Sequence, residues 1–277
     1  MAGMPTARIQ ALYVYPLKSA QGIAVEHARL GVSGLTWDRH WMVVRPDGAF
    51  LTQRTHPRLA RIATELTPDG LRLSSAGCAP LRLPFEAAPA TVRPVRIWRD
   101  ACIGIDAGEP AADWVSALLG EPARVVHAPG SPERRADPQY AGAHPPPLAF
   151  PDGFPLLICT QASLDALNER LGARLPMNRF RPNLVLEGLE PFAEDRIDTI
   201  RIGPVTLRLV KPCTRCIIPS RDQHTGEPDL DPLPVLRRFR FDPQLRGVTF
   251  GMNAIISAGA GESIERGSRC EVTYRDR

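Results

Sequence analysis

The sequence of 277 residues lacks the features of membrane, exported and disulfide-stabilised proteins. No stretch approaches the roughly 20 consecutive apolar residues that a membrane-spanning helix needs, because Arg, Asp or Pro interrupts every candidate. Residues 1–5 lead directly into alternating apolar residues from Ile9, without the charged segment, apolar core and cleavage site of an export signal. Six cysteines are too few for a disulfide framework and are typical of a reducing compartment. We therefore expect a cytoplasmic protein without a membrane partner.

Lysine is almost absent as well, since only Lys18 and Lys211 occur among 34 basic residues. The formal net charge is +4, but 30 acidic residues are spread along the chain and dilute any single basic surface. Aromatic residues make up 6% of the chain, and few of them interleave with the arginines as base-stacking proteins require. A basic β-barrel that binds nucleic acid is therefore the least favoured function, and we expect no nucleic-acid partner.

The composition of the chain is that of an ordinary globular protein, and the sequence contains many turn signals. Hydrophobic residues make up 43% and charged residues 23%, which excludes a disordered chain and a coiled coil. Between Ile9 and Ile105, short runs rich in β-branched and aromatic residues alternate with turns, a pattern that predicts a barrel or sandwich. Pro46-Asp47-Gly48 and Pro68-Asp69-Gly70 are predicted hairpin tips, because Pro presets φ and Gly accepts positive φ.

Helical periodicity is found in two segments, 109–119 and 163–171, each followed by a glycine. Residues 128–151 are dominated by Pro, Gly, Ala and charge, and they are too poor in apolar periodicity to predict a packed element. A loop of this length either covers a functional site or connects two modules, and both interpretations stay open. Strand patterns return after the second helix, so the second half is again predicted to be mainly β.

The sharpest local feature is Lys211-Pro212-Cys213-Thr214-Arg215-Cys216, at the end of a predicted strand. Half a zinc site, a redox dithiol, two inert buried thiols and a single metal-ligating thiolate are all open interpretations. No second Cys-x-x-Cys or His-x-His cluster supports zinc, and Pro219 opposes the helix that a thioredoxin-type dithiol needs. The pattern favours a thiolate that Arg215 and Lys211 activate and that binds a soft metal.

A second feature is Arg179-Phe180-Arg181-Pro182-Asn183 at the entry to a predicted strand. Two guanidiniums and an amide there favour bidentate recognition of a phosphate or carboxylate. Solvated charges at the rim of an arginine-rich protein are the alternative. The segments Tyr15–Ser19 and Trp37–Trp41 allow the same two interpretations, and each is weak by itself.

Taken together, these motifs resemble a known family. The segments YPLKS, WDRHWMVV and FLTQRTHPRLA are similar to the N-terminal β-barrel domain that precedes a MOSC domain. The segments NRFRPNLVL, FAEDRIDTIRIG and VKPCTRCIIPSRDQHTGE are similar to the MOSC domain itself and follow in the family's order. The resemblance is to the group of MOSC proteins that contains the mitochondrial amidoxime-reducing components and their bacterial YcbX-like counterparts. It implies an α+β, mainly β fold with a few short helices, in which an N-terminal β-barrel-like module (6–125) is followed by a Pro/Gly-rich linker (126–151) and packs on a MOSC β-barrel (152–277).

The resemblance also implies roles for individual residues. Cys216 falls on the family's molybdenum ligand and is therefore a metal-binding and catalytic candidate, with Cys213 as a neighbour that is not a ligand. Asp222 falls near the metal as a second catalytic candidate, in a stretch that continues to Thr225-Gly226. Pro219 departs from the Thr that is usual at its position. The implied cofactor-binding residues are Lys18, Ser19, Arg39, Arg181, Asn183 and Thr214.

The activity implied by the resemblance is that of an oxidoreductase that binds molybdenum cofactor (Mo-molybdopterin) and reduces N-hydroxylated compounds, taking N–OH or N-oxide groups to amines or amidines. No Cys-x4-Cys-x2-Cys iron–sulfur signature occurs in the chain. The electrons are therefore expected from a separate ferredoxin-, flavodoxin- or cytochrome b5-like partner. The alternative is a MOSC-type sulfur carrier or transfer protein in molybdenum cofactor metabolism, which would receive its sulfur from another protein because no pyridoxal-phosphate domain is present.

Overall fold

The computed structural model describes residues 6–85 and 91–276 of the chain. The strands, in chain order, are β1 (Thr6–Val14), β2 (Ile23–Val25), β3 (His27–Gly31), β4 (Gly34–Leu35), β5 (Trp41–Val44), β6 (Ala63–Thr67), β7 (Gly70–Ser75), β8 (Cys78–Pro84), β9 (Val92–Ile97), β10 (Asp100–Asp106), β11 (Arg124–His127), β12 (Leu156–Thr160), β13 (Leu184–Glu187), β14 (Ile197–Ile202), β15 (Val205–Thr214), β16 (Phe241–Asp242), β17 (Gly247–Ala258), β18 (Ser263–Glu265) and β19 (Arg269–Tyr274). The helices are α1 (Glu109–Leu119), α2 (Pro138–Ala141), α3 (Gln161–Leu171) and α4 (Leu233–Arg240), and short 3-10 turns lie at Pro57–Arg61, Met177–Arg179, Ala193–Arg196 and Ile218–Ser220. More residues lie in strands than in helices, so the predicted mainly β class is confirmed.

Seven strands close into a barrel in the order β12-β13-β1-β19-β14-β15-β17, with β17 pairing back onto β12. Strand β1 belongs to this barrel although the other six strands all follow residue 155. Inward-facing residues such as Ile9, Leu12 and Leu184 are fully buried in its core. The pairing of Leu12 with Leu184 brings the turn after β1 beside the loop before β13. Two segments that are far apart in sequence therefore meet at one end of the barrel.

The first module adds two smaller sheets, β5-β11-β10-β9 and β6-β7-β8, which pack with α1 around Trp41 and Leu59. Helix α1 has the predicted bounds and ends at Gly120, whose φ of +78° is left-handed. Helix α3 begins two residues before its predicted start, because the Thr160 side chain accepts a hydrogen bond from the Ser163 amide at 3.2 Å. The predicted hairpin tip at Asp69-Gly70 joins β6 to β7 and is confirmed. The predicted domain bounds themselves stay a prediction.

The expectation that residues 128–151 contain no packed element is wrong. Helix α2 lies within this segment and begins at the cap Asp137, which accepts a hydrogen bond from the Gln139 amide at 3.0 Å. Ala136, Ala141 and Leu148 are buried against residues of the second module. A four-residue helix is too short to show periodicity, and isolated apolar residues that pack on a distant element leave no local pattern. Helix α4 was not predicted either, since two prolines lie at its N-terminal end.

No helix within residues 6–85 and 91–276 combines the length and the apolar character that crossing a membrane requires.

A histidine pair in the first module should make the fold sensitive to acid. The rings of His40 and His127 stack with their centroids 5.8 Å apart, beside Trp37 and Trp41. Burial, with a smaller contribution from His127, lowers the pKa of His40 to about 4. The unfolded chain, with a histidine pKa of about 6.5, then binds more protons than the folded protein between these two values. The free energy of unfolding should therefore be retained above pH 6.5 and fall by about 3 kcal/mol as the pH drops to 4.

Urea unfolding between pH 7.5 and 4 measures this effect. In His40→Gln, the part of the pH dependence that comes from His40 should disappear, whereas the exposed His144→Gln serves as the matched control. An unchanged pH slope in His40→Gln would show that other groups cause the acid sensitivity.

Candidate functional site

A cleft at the end of the barrel gathers motifs from both halves of the chain. Seven of the eight predicted site residues line it: Lys18, Ser19, Arg39, Arg181, Asn183, Thr214 and Cys216. Asp222 is not among the lining residues. Sequence reasoning missed four polar members of the wall, Thr52, Arg54, Asp152 and Asn253. Thr52 and Arg54 could have been found, because both lie inside the FLTQRTHPRLA motif, whereas no local signal marks Asp152.

Three of the predicted site residues have a strained backbone. Ser19, Arg39 and Arg181 have φ values of +70°, +46° and +56°, in the left-handed region that residues with a side chain rarely adopt. Each such conformation costs of order 1 kcal/mol and persists only where the surroundings enforce it. The Arg39 amide donates to the Tyr15 carbonyl at 2.8 Å, and the Trp41 amide donates to the Pro16 carbonyl at 2.9 Å. These bonds tie the first two motifs together and turn their polar side chains towards the cleft.

The buried Tyr15 ring holds two of the cleft's cations. The guanidinium carbons of Arg39 and Arg181 lie 4.3 Å and 4.4 Å from the ring centroid. Contact with an aromatic face stabilises a cation without neutralising it, so the charge of Arg181 remains available to an anionic ligand. Arg39 Nη1 pairs with Asp38 Oδ2 at 2.6 Å, and this carboxylate offsets part of the Arg39 charge. Burial lowers the pKa of Arg181 to about 10, which still leaves its guanidinium charged at neutral pH.

Asn183 positions Arg39. The Asn183 side-chain oxygen accepts hydrogen bonds from Arg39 Nη1 at 3.0 Å and from the Leu157 amide at 3.1 Å. Its side-chain nitrogen donates to the Tyr13 carbonyl at 3.2 Å. Arg39 also donates to the Arg181 carbonyl at 3.0 Å. Because both polar atoms of the Asn183 side chain are engaged within the protein, its direct cofactor contact stays a prediction, while its effect on Arg39 is visible in these bonds.

Lys18 lies at the other side of the cleft and is almost fully buried. Its Nζ donates to the Phe150 carbonyl at 2.8 Å and to Asp152 Oδ1 at 2.5 Å. Burial lowers the pKa of Lys18 below its ordinary value, and the Asp152 carboxylate offsets part of this effect. Arg54 Nη2 approaches Asp152 Oδ2 at 3.3 Å.

Arg134 fastens the segment that carries Asp152. Its guanidinium donates to the Pro151 carbonyl at 2.5 Å, to the Asp152 carbonyl at 2.6 Å and to Asp100 Oδ2 at 2.6 Å. The guanidinium thus joins the β9–β10 turn to the end of the 128–151 segment. This segment therefore connects the modules and also delivers Pro151 and the following residues to the cleft wall.

The two thiols of the Cys-x-x-Cys pair both line the cleft and are half-buried. Arg215 Nη1 donates to Cys213 Sγ at 3.0 Å, and Arg215 Nη2 donates to the Phe180 carbonyl at 2.8 Å. Burial would lower the pKa of Arg215, but the nearby sulfur atoms, that of Cys213 first, outweigh it and raise this pKa. By contrast, burial raises the pKa of Cys270 to about 12. Both thiols of the pair are therefore accessible from the cleft. The interpretation of Cys213 and Cys216 as two buried thiols does not agree with this exposure.

The surroundings of this pair differ from the sequence expectation in one respect. Lys211 does not line the cleft; its Nζ lies over the Tyr140 ring, 4.3 Å from the centroid. Of the two cations predicted to activate a thiolate, Arg215 contacts a thiol and Lys211 does not. The turn Ile218–Ser220 follows Cys216 where a thioredoxin-type dithiol would need a helix.

Arg179 and Asp222 lie outside the cleft wall. Asp222 Oδ1 accepts hydrogen bonds from the His224 and Thr225 amides at 2.9 Å and 2.8 Å, and Arg179 pairs with Asp229 and approaches Asp222. Burial would raise the pKa of Asp222, but these amide bonds outweigh it and lower this pKa. The Arg179 guanidinium therefore does not converge with that of Arg181, and the catalytic role of Asp222 stays a prediction.

The loop that contains Asp222 packs against the first module. Gly226 has a φ of +77°, and a Cβ there would lie 2.2 Å from the Pro57 carbonyl oxygen, so no other residue fits without a shift. Arg61 donates to the Thr225 carbonyl at 3.0 Å. The Asp-x-x-Thr-Gly stretch thus forms part of the contact between the two modules.

The donors in the cleft suit a ligand that combines an anionic group with a soft metal. Among the residues that the structure describes, five cations and one carboxylate, that of Asp152, line the wall. The cations are Lys18, Arg39, Arg54, Arg181 and Arg215. Such an excess, with hydroxyl donors from Ser19, Thr52 and Thr214, favours a phosphate. Cysteine sulfur, which Cys216 offers here, is the ligand type that soft metals prefer. The fold and the cleft define a mainly β protein in which a cationic cleft contains an accessible thiol.

Two family models match the chain. Residues 6–122 match the MOSC N-terminal beta barrel domain. Residues 145–269 match the MOSC domain. This chain therefore belongs to the family of MOSC-domain proteins that carry an N-terminal β-barrel domain, and the resemblance inferred from the motifs is confirmed.

Curated relatives extend over most of the chain. The chain is 36% identical over 244 residues to mitochondrial amidoxime-reducing component 1 of Mus musculus, a match that covers 84% of this chain and 71% of that protein. It is 36% identical over 246 residues to the Homo sapiens protein of the same name, covering 85% and 73%. It is 33% identical over 276 residues to mitochondrial amidoxime reducing component 2 of Homo sapiens, covering 92% and 82%.

Proposed function

We propose that this protein is a molybdenum-cofactor-dependent oxidoreductase that reduces N-hydroxylated compounds with electrons from a separate redox partner. The observation that carries the proposal is the convergence of the cationic side chains and the accessible Cys216 thiol in one cleft. The proposal is further supported by the identity of 36% to proteins named amidoxime-reducing components. Cytoplasmic location and a ferredoxin-, flavodoxin- or cytochrome b5-like donor are part of the same proposal.

The residues of the cleft fit this cofactor. Cys216 would supply a thiolate ligand to the metal, and Lys18, Ser19, Arg39, Arg181 and Thr214 would hold the anionic part of the pterin. Asn183 would act on it through Arg39, which it orients. When bound, the cofactor would supply the two-electron redox and oxygen-acceptor chemistry. The chain itself contributes ligation, charge and a shaped cavity.

The apolar part of the cleft wall would bind the substrate and the product with different strength. Leu157, Phe180 and Ile218 line the cleft and exclude water from a bound organic group. Reduction of one N–OH group consumes two electrons and two protons and releases one water molecule. An amidoxime is neutral at pH 7, whereas the amidine product is a cation, which an apolar wall binds less well. Leu157, Phe180 and Ile218 would therefore favour release of the product over its retention.

A sulfur-carrier function in molybdenum cofactor metabolism is the second candidate, and one observation favours it. Arg215 donates to Cys213 Sγ at 3.0 Å, and a charge-assisted hydrogen bond of this kind stabilises a sulfur anion. A persulfide on either cleft cysteine would benefit from the same guanidinium.

Metal and pterin analysis separates the two functions. The full chain, purified from a host that makes molybdenum cofactor, should contain about one molybdenum and one pterin per molecule, with both cleft thiols free of extra sulfur by mass spectrometry. A preparation from the same host without molybdenum and pterin would overturn the oxidoreductase proposal. A persulfide on Cys213 or Cys216 in that preparation would support the carrier function.

A further inference from the structure

Asp152 holds an unusual position in the cleft. It is the only carboxylate that the described residues contribute to the wall, and its two oxygens face Lys18 at 2.5 Å and Arg54 at 3.3 Å. A buried lysine beside an arginine fork is the donor set that binds a phosphate oxyanion. The donors of this corner are therefore engaged by a carboxylate of the protein itself.

The side chain of Asp152 can move while its backbone stays in place. Arg134 binds the carbonyls of Pro151 and Asp152, so the main chain is fastened at this point. The Asp152 side chain is 56% exposed, whereas that of Lys18 is 8% exposed. More than half of the Asp152 side chain is thus already in contact with solvent. Rotation about χ1 of Asp152 is then enough to carry the carboxylate into solvent.

Lys18 does not depend on Asp152 for its orientation. It also donates to the Phe150 carbonyl at 2.8 Å, and this bond survives if the carboxylate leaves. Ser19 and Thr52 line the same cleft and add hydroxyl donors. The corner therefore remains a formed oxyanion site when Asp152 turns away.

A phosphate and the Asp152 carboxylate cannot both use these donors at low cost. Two anions that share Lys18 would lie within a few ångströms of each other, and like charges at that distance repel strongly where water is partly excluded. Desolvation would raise the pKa of Asp152, but Lys18 and then Arg54 outweigh it and hold this pKa well below its usual range. The carboxylate is consequently ionised at neutral pH, and binding of a phosphate has to displace it.

We propose that Asp152 is an internal competitor for the oxyanion site of Lys18 and Arg54, and that a phosphate-bearing ligand binds by displacing its carboxylate into solvent. Asp152 thereby weakens binding of the phosphate group and speeds its release. The inference deepens the proposed function, because the phosphate-bearing ligand would be the cofactor. The oxyanion site itself is tested with inorganic phosphate, without the cofactor or turnover.

Isothermal titration with inorganic phosphate at fixed ionic strength tests the competition, using full-length chain from a host that cannot make molybdenum cofactor. Asp152→Asn should bind phosphate about ten-fold more tightly than the wild-type chain. The matched control is Asp113→Asn, because Asp113 is an exposed carboxylate of α1 and its replacement changes the net charge by the same amount. This control should change the Kd by less than about two-fold.

Two further variants make the result decisive. Asp152→Ser removes the charge with a smaller side chain and should give the same gain, which covers the case that Asp152→Asn does not fold by circular dichroism. Lys18→Met added to Asp152→Asn should abolish the gain, because the principal donor is lost. The proposal is overturned if both uncharged variants bind phosphate no more tightly than wild type, or if Asp113→Asn gains as much. These outcomes are independent of metal content, so a failure of the proposed function remains distinguishable.

Discussion

Replacing Cys216 with alanine should lower molybdenum-dependent reduction of an amidoxime by more than about 100-fold. Loss of groups that only orient a metal ligand already costs 10–100-fold, so loss of the ligand itself should cost more. Turnover is measured with a viologen dye as electron donor, and molybdenum and pterin content are measured on the same preparation. The fold should persist, because Cys216 is half-buried at the edge of a cleft and its side chain is small.

The chain offers a matched control three residues earlier. Cys213 lines the same cleft and is also half-buried, but the family resemblance assigns it no metal bond. Cys213→Ala should therefore retain molybdenum and keep turnover within a few-fold of the wild-type chain. Equal turnover in Cys216→Ala and the wild type would refute the assignment of the ligand. If Cys213→Ala loses molybdenum and Cys216→Ala retains it, then Cys213 is the metal ligand and Cys216 is the neighbouring thiol.

Asn183→Ala should lower the free energy of unfolding by about 3–5 kcal/mol. The substitution removes three hydrogen bonds and leaves the Leu157 amide and the Tyr13 carbonyl without these partners inside the protein. Each buried polar group that loses its partner costs about 1–3 kcal/mol. Urea unfolding of the full chain measures the loss. Arg39 also loses one of the bonds that orient it, so phosphate binding should weaken in the same variant.

Asn253→Ala is the control for this prediction. Asn253 lines the cleft too and is half-buried, and within residues 6–85 and 91–276 no hydrogen bond of its side chain is found. Its replacement should cost less than about 1 kcal/mol. Comparable losses in the two variants would mean that the Asn183 hydrogen bonds are not the source of the stability.

Part of the site can be recognised from the sequence alone, because its residues lie in short motifs. Lys18, Arg39, Arg181 and Cys216 each belong to a short segment with recognisable neighbours, and the structure brings all four to one cleft. Helix α1 was equally accessible, since its apolar spacing and the glycine after it are local features. Patterns of this kind depend only on residues that are close in sequence.

Other residues of the site could not be found in this way. Tyr15 lies in a recognisable motif, but nothing local indicates that its ring lies against two arginines. Arg134 lies in a segment without periodicity, and its three partners are 17 to 34 positions away. Asp222 matched a motif, yet the folded loop turns it towards its own amides and away from the cleft wall.

The order of motifs along the chain is thus enough to establish the family, the mainly β class and the kinds of side chain available for binding an anion and a metal. Which charged side chains lie next to each other is decided by the tertiary structure. Lys18 and Asp152 are 134 positions apart, and they meet only because β1 enters the barrel and Arg134 fastens the segment before β12. Such pairings arise from packing between distant elements, for which a linear sequence carries no local signal.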